Sequence, residues 1–273
     1  MILPLWFKIL MSIFLFFLGA SVYSFLNVVI FRVPRGEEFV KTRSHCPRCG
    51  KLLSPMELVP VVSYVCLGGK CKNCGSKIGV RDVLIETFGG LSAIATFWIF
   101  FHESAGSLAE VAFGDFYGRL FAGLTAFAMI GALTEITFIQ IDMGVVKHGT
   151  VIALGVITII GCFTLPEVEI MDRVIGALCL SIFVVILSLL FKKTVPMGLA
   201  WMPGLVGIAV GWGKLLFTAL PACVIVALLQ WIILIILGNK PVGKSFKPAF
   251  AIGVSLVAAI LAGGAILKVM GLS

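Results

Sequence analysis

The chain has 273 residues, 60% of them hydrophobic and 12% charged, with a formal net charge of +8. An ordinary soluble domain carries about 25% charged residues, and apolar runs of about 20 residues recur from end to end, so a soluble globular protein is excluded. The basic excess is scattered over short turns and one compact loop, which membrane topology and anionic lipid account for, so no nucleic-acid partner is expected.

In chain order, eight membrane spans are predicted, at 4–30, 83–101, 120–142, 149–165, 173–191, 196–212, 215–237 and 248–270. The first lacks a cleavage site after a short apolar core, so it reads as a membrane helix rather than a signal peptide. The sixth is the weakest, being short and rich in Gly and Pro. The loop 31–82 holds ten of the twenty-one Lys and Arg residues. Further basic turns carry Lys147 with His148, Lys192 with Lys193, and Lys240, Lys244 and Lys247. With eight spans all of these fall on one side, which the positive-inside rule makes cytoplasmic. The opposite loops, 102–118 and 166–172, lean acidic, with Glu103, Glu110 and Asp115, and with Glu167, Glu169 and Asp172. The expected fold is an all-α membrane protein, a polytopic bundle of about eight transmembrane helices in the cytoplasmic membrane, with both termini outside.

Between the first two spans stands HCPRCGKLLSPMELVPVVSYVCLGGKCKNCG. Cys46 and Cys49 form one C-x2-C pair and Cys71 and Cys74 another, each in a turn whose glycine permits a left-handed conformation. Two such knuckles aim four thiolates at one point, and four thiolates with no open position suit a structural zinc. The alternative is two disulfides or four free thiols, which a reducing cytoplasm makes the lesser reading. Cys66 reads as a small buried hydrophobe, because the two pairs already supply four ligands. Cys162, Cys179 and Cys223 sit singly in spans and read as packing residues.

The end of the third span, TEITFIQIDMGVVKHGT, carries one of only four aspartates. Asp142 at such a place is a candidate functional carboxylate; the plainer reading is a solvated helix end, or a partner of Lys147 or His148. Glu135 lies deeper and calls for a partner inside the bundle. The two are seven residues apart, about 10.5 Å along a helix, too far for a pair sharing one proton. Gln140 can hydrogen-bond between helices without a charge. His148 has no visible companion ligands, and PMGLAWMPG lacks the basic residue and context of a phosphate loop.

The stretches SFLNVVIFRVPRGEEF, SHCPRCG, ELVPVVSY, GGKCKNCGSKI and VRDVLIETFGG, in this order over about residues 19–90, resemble the amino-terminal domain of the type IV prepilin leader peptidases. Those are bifunctional membrane enzymes of pilus assembly and type II secretion. The resemblance implies two domains: 1–90, a first transmembrane helix with a zinc-binding loop, and 91–273, a polytopic part like the membrane aspartic peptidase domain. It implies prepilins or pseudopilins and their secretion machinery as partners. It also implies cleavage of the leader, followed by methylation of the new amino terminus from S-adenosylmethionine. Asn27 matches the family's F-L-N-V and is expected to bond within the bundle, and Glu86 matches a glutamate beside the zinc loop, where a structural role is expected.

The family's two catalytic aspartates lie in stretches like I-D-L-D-x-x-x-L-P-D and G-x-G-D, and together they act as base and acid. Aligned with the first, Ile139-Gln140-Ile141-Asp142 places Gln140 at the aspartate and Asp142 at the variable position two residues on; a two-residue shift would put Asp142 in the catalytic slot, but it spoils the match of Val146 and His148. Aligned with the second, Met197-Gly198-Leu199 places Leu199 at the other. From Arg173 to Ser273 there is no Asp or Glu at all. The expectation is therefore a family member whose peptidase step is lost, with methyl transfer or a scaffolding role remaining. Two alternatives stay open: an active peptidase using a nonstandard carboxylate pair that includes Asp142, and a scaffold or transporter-like membrane protein with no enzymatic activity.

Overall fold

A proline before the first turn and another after the last delimit α1, Leu5–Arg32, whose 28 residues contain none. Beyond it a short 3-10 turn, Val33–Arg35, is closed by Gly36 at φ 72°, a left-handed cap that a side chain would strain. The computed structural model describes residues 4–38, 43–102, 113–144, 146–164, 169–190, 201–211, 252–254, 256–258 and 260–261. The expected span 215–237, Leu199, Cys223, the side chain of Cys179 and the turn at Lys192 lie outside them. Among the described residues the regular elements are helices, with only two isolated bridges, His45 to Leu52 and Lys70 to Lys77.

The chain forms two compact units, residues 1–112 and 113–273. In the first, α1 packs on α3, Val80–His102, with the short α2, Val62–Cys66, in the connecting loop. Small residues make this crossing close. A Cβ on Gly19 would overlap the carbonyl oxygen of Gly89 and lie 2.6 Å from the Cβ of Ala93. The buried ring of Tyr23 covers Gly89 and meets Phe88 edge-on at 5.9 Å. Lipid offers no hydrophobic drive for helix association, so close approach and interhelical hydrogen bonds supply it. One such bond runs from Asn27 Nδ2 to Asp82 Oδ1 at 2.8 Å.

The second unit holds α4, Phe113–Met143; α5, His148–Thr164; α6, Ile170–Leu190; α7, Trp201–Val210; and helical residues within 252–261. Met129, Leu133 and Ile136 of α4 form its core with Leu154, Met202 and Val206. Glycines again set the close approaches. A Cβ on Gly207 would overlap the Gly176 carbonyl, and one on Gly253 would overlap the hydroxyl of Thr137. Near the same end of α6, Arg173 donates from Nη1 to the Ile208 carbonyl (2.9 Å) and from Nη2 to the Cys162 carbonyl (3.4 Å). These are last-turn carbonyls of α7 and α5, which have no partners within their own helices, and a cation suits both C-termini. Hydrogen bonds to a charged group contribute about 1.5–3 kcal/mol each. Arg173→Leu is therefore expected to lower the melting temperature of the detergent-solubilised protein by several degrees, at roughly 2–4 °C per kcal/mol, and Arg173→Lys to recover part of it. An unchanged melt for Arg173→Leu would remove the clasp from the account.

Among the described residues, three helical stretches are long and apolar enough to cross a membrane: Leu5–Arg35, Val80–Phe100 and Tyr117–Met143. The helices at His148–Thr164 and Trp201–Val210 are apolar but shorter. The described chain is thus mostly helical, with helices that suit a membrane. Helix ends differ from the predicted spans for a physical reason. α4 begins at Phe113 rather than 120, because backbone hydrogen bonding propagates through the polar turn GDFYGR after hydropathy has fallen away. The predicted span 196–212 contains a described helix only over Trp201–Val210.

Candidate functional site

The loop of the first unit brings the two cysteine pairs together. One ligand atom from each of Cys46, Cys49, Cys71 and Cys74 lies within 4.8 Å of all the others. Each pair sits in the same turn. Gly50 N–H bonds the Cys46 carbonyl and Cys46 N–H the Lys51 carbonyl, both at 2.9 Å. Gly75 N–H likewise bonds the Cys71 carbonyl at 2.9 Å, and Cys71 N–H the Ser76 carbonyl at 2.8 Å. Gly50 and Gly75 both have φ 69°. The knuckles are tied to each other: Lys51 Nζ donates to Asn73 Oδ1 (3.4 Å), and Asn73 Nδ2 donates to Cys49 Sγ (3.6 Å).

Zinc fits this set. Four sulfurs at about 2.3 Å from a tetrahedral zinc stand about 3.8 Å apart, and Cys46 Sγ is 3.9 Å from Cys74 Sγ. A disulfide would need about 2.05 Å, and the described cysteines are free thiols. The backbone N–H groups of Cys49 and Arg48 pull the Cys46 thiol down to about 6, with the Ser76 hydroxyl adding to them. The Ser76 hydroxyl and backbone lower Cys74 as well. At Cys71 the backbone N–H groups of Cys74 and Asn73 pull the same way, but burial and the adjoining sulfurs outweigh them and push it up. Thiols this close resist ionising together unless a cation sits among them. Ser76 and Asn73, which aim a hydroxyl and an amide at the sulfurs, were not singled out from sequence; their positions inside the second knuckle are the signal that could have found them.

Around the knuckles the loop is pinned to α3. Glu86 Oε2 accepts the Val61 N–H at 2.9 Å, the structural role expected of it. Val61 has φ 62° and ψ −50°, and the Pro60 carbonyl accepts the Val62 N–H at 2.6 Å. This is the positive-φ γ-turn, a strained form that a β-branched residue adopts only when held. Ser54 and Glu57 close a capping box, and the backbone N–H and hydroxyl of Ser54 hold the Glu57 carboxyl below its usual range. Cys66 departs from expectation. It is exposed, because α2 is a single short helix on the loop surface and has no core on its outer side.

At the end of α4 the structure separates the two residues of interest. Gln140 is buried, 7% exposed, and Asp142 is exposed in the last turn. Among the described residues, the buried Gln140 Oε1 and Thr137 Oγ1 atoms, one turn apart, find no hydrogen-bond partner. Glu135 is half-buried, and among the described residues no ion pair or hydrogen bond reaches its carboxyl. The partner expected inside the bundle is absent there. Thr137 was missed from sequence because a lone threonine in an apolar helix reads as packing.

Residues 17–100 match the model of the bacterial peptidase A24 N-terminal domain. The chain is 48% identical over 89 residues to a prepilin leader peptidase/N-methyltransferase of Myxococcus xanthus, covering 33% of this chain and 27% of that protein. A Pseudomonas aeruginosa protein of the same name is 36% identical over 121 residues, covering 36% of this chain and 42% of that protein. In both, the chain spans less than half of the relative's length. A third relative of that name, from Burkholderia pseudomallei, is 30% identical over 247 residues, covering 77% of this chain and 71% of that protein. No solved structure matches. With a knuckle loop that falls inside the family-model match and an alignment that reaches most of a full-length relative, the chain belongs to the prepilin leader peptidase/N-methyltransferase family.

Proposed function

We propose that this is a multi-pass protein of the cytoplasmic membrane serving type IV pilus assembly or type II secretion, which has lost the peptidase step. About eight spans place both termini outside and the cysteine loop in the cytoplasm, where Cys46, Cys49, Cys71 and Cys74 hold a structural zinc. By motif content the division falls at residue 90, between the zinc-bearing part and the peptidase-like part; by packing it falls at 112/113. The observation that carries the reading is the missing acid. No Asp or Glu occurs from Arg173 onward, and the residue aligned with the first aspartate is a buried amide, Gln140. What remains is handling of prepilins or pseudopilins, by methyl transfer from S-adenosylmethionine or as a scaffold.

Incubated with a prepilin bearing its leader, the purified protein is expected to give no shortened product. Cleavage that disappears in Asp142→Asn would overturn the reading and assign a nonstandard carboxylate pair. Already-cleaved pilin with labelled S-adenosylmethionine separates the two remaining roles. Incorporated label identifies a methyltransferase, and none leaves the scaffold.

A further inference from the structure

Among the described residues of the first unit, the loop between α1 and α3 carries an exposed apolar surface. Met56 is 82% and Val65 69% exposed, and Leu58 and Val62 are exposed beside them. They stand on the 3-10 turn Pro55–Leu58 and on α2, which pack against each other.

Two observations say what meets this surface. The first is depth. The bond from Val61 N–H to Glu86 sets the segment beside the seventh residue of α3, about 9 Å along the helix from its start. The 23 residues of α3 reach about 34 Å, against a hydrocarbon thickness of about 30 Å. The excess of about 4 Å leaves at most the first turn of α3 outside the hydrocarbon, so the segment pinned about 9 Å along it stands at the boundary between headgroups and acyl chains. The strained turn at Val61 is held by this carboxylate together with the backbone bonds around it, so the depth is built in rather than incidental. The second observation is charge. Residues 31–82 hold ten Lys and Arg against four acids. Two of those acids are already engaged, Glu57 by Ser54 and Asp82 by Asn27.

We propose that the segment Pro55–Cys66 is an interfacial anchor, whose apolar side chains enter the headgroup layer while the surrounding basic residues bind anionic phospholipid. Segments of this kind sink about 5–10 Å into the boundary and gain from anionic headgroups. The proposal rests on the membrane placement of α1 and α3 and is independent of any catalytic reading.

The test places the photo-crosslinking amino acid p-benzoylphenylalanine at position 56, 65 or 72 of the full chain, in nanodiscs of phosphatidylglycerol and phosphatidylethanolamine. Intact-mass spectra after illumination should show phospholipid adducts at 56 and 65 at least about fivefold above those at 72, the exposed knuckle tip. Phosphatidylglycerol should exceed its share of the bilayer among them. In the Glu86→Ala background the yield at 65 should fall toward that at 72, whereas Glu86→Gln, which keeps an acceptor, should preserve it. Equal adducts at all three positions, or crosslinks to a polypeptide instead of lipid, would overturn the anchor. Adducts in proportion to bilayer composition would overturn its preference for anionic lipid. An undiminished yield in Glu86→Ala would overturn the pin.

Discussion

Gly19→Leu is expected to abolish the folded first unit, while Gly118→Leu, one helix pair away in sequence, is expected to leave the protein as stable as before. At Gly19 even a methyl group would overlap the backbone oxygen of Gly89 and press on Ala93, and neither can rotate away. A leucine must therefore push α1 from α3. Over-packing costs about 1–3 kcal/mol where side chains can yield, and here backbone faces backbone, so the cost should exceed that range. Separation would also cost the bond from Asn27 to Asp82, which depends on the helices being in register. A Cβ at Gly118 meets nothing within 4 Å, and leucine is the better helix former by several tenths of a kcal/mol. Size-exclusion profiles and thermal melts of the detergent-solubilised variants compare the two directly. A Gly19→Leu protein that elutes and melts like the parent would show that the crossing is looser than described.

Replacing Cys46 and Cys71 together by Ser is expected to remove the bound metal, close to one zinc per chain in the parent, and with it the order of the loop. These two are the buried members of the set, one from each knuckle, so their loss leaves two exposed thiols and no chelate in either turn. Apparent zinc affinities of about 10–16 kcal/mol in small zinc-dependent folds indicate how much of such a loop the metal supports. Metal content measured on the purified protein is the first readout. Limited proteolysis is the second: cleavage should appear within 43–79 while the helices stay protected. Undiminished zinc in the double variant would remove the cluster as the metal site.

What could be read from the residues follows the range of the forces involved. The cysteine knuckles were legible because their chemistry is local: C-x2-C-G specifies its own turn, and Gly50 and Gly75 take the left-handed conformation that spacing calls for. The membrane character was legible because hydropathy is a property of composition. The role of Glu86 came from the resemblance, and its partner did not, since nothing in ELVPVV announces a γ-turn at Val61. Cys66 was misplaced for the same reason. Burial depends on what packs over a residue, and α2 has an open outer side. Helix starts such as Phe113 escaped because hydropathy marks where lipid begins, not where hydrogen bonding does. Gln140 stands out from the sequence as the position that matters, but its burial depends on neighbours from other helices.

The Gly19–Gly89 crossing also bears on the metal. It holds the end of α1 beside the start of α3, so the loop 33–79 leaves and re-enters the same helix pair. Bringing the ends of a free chain of that length together costs roughly 3 kcal/mol, and in this protein the membrane helices have already closed the ring. Each knuckle therefore sees the other at a raised effective concentration before any ion arrives. A metal held by the same four thiolates would be gripped more tightly between these helices than on the severed loop, so that glycines deep in the helix pair would become determinants of its affinity.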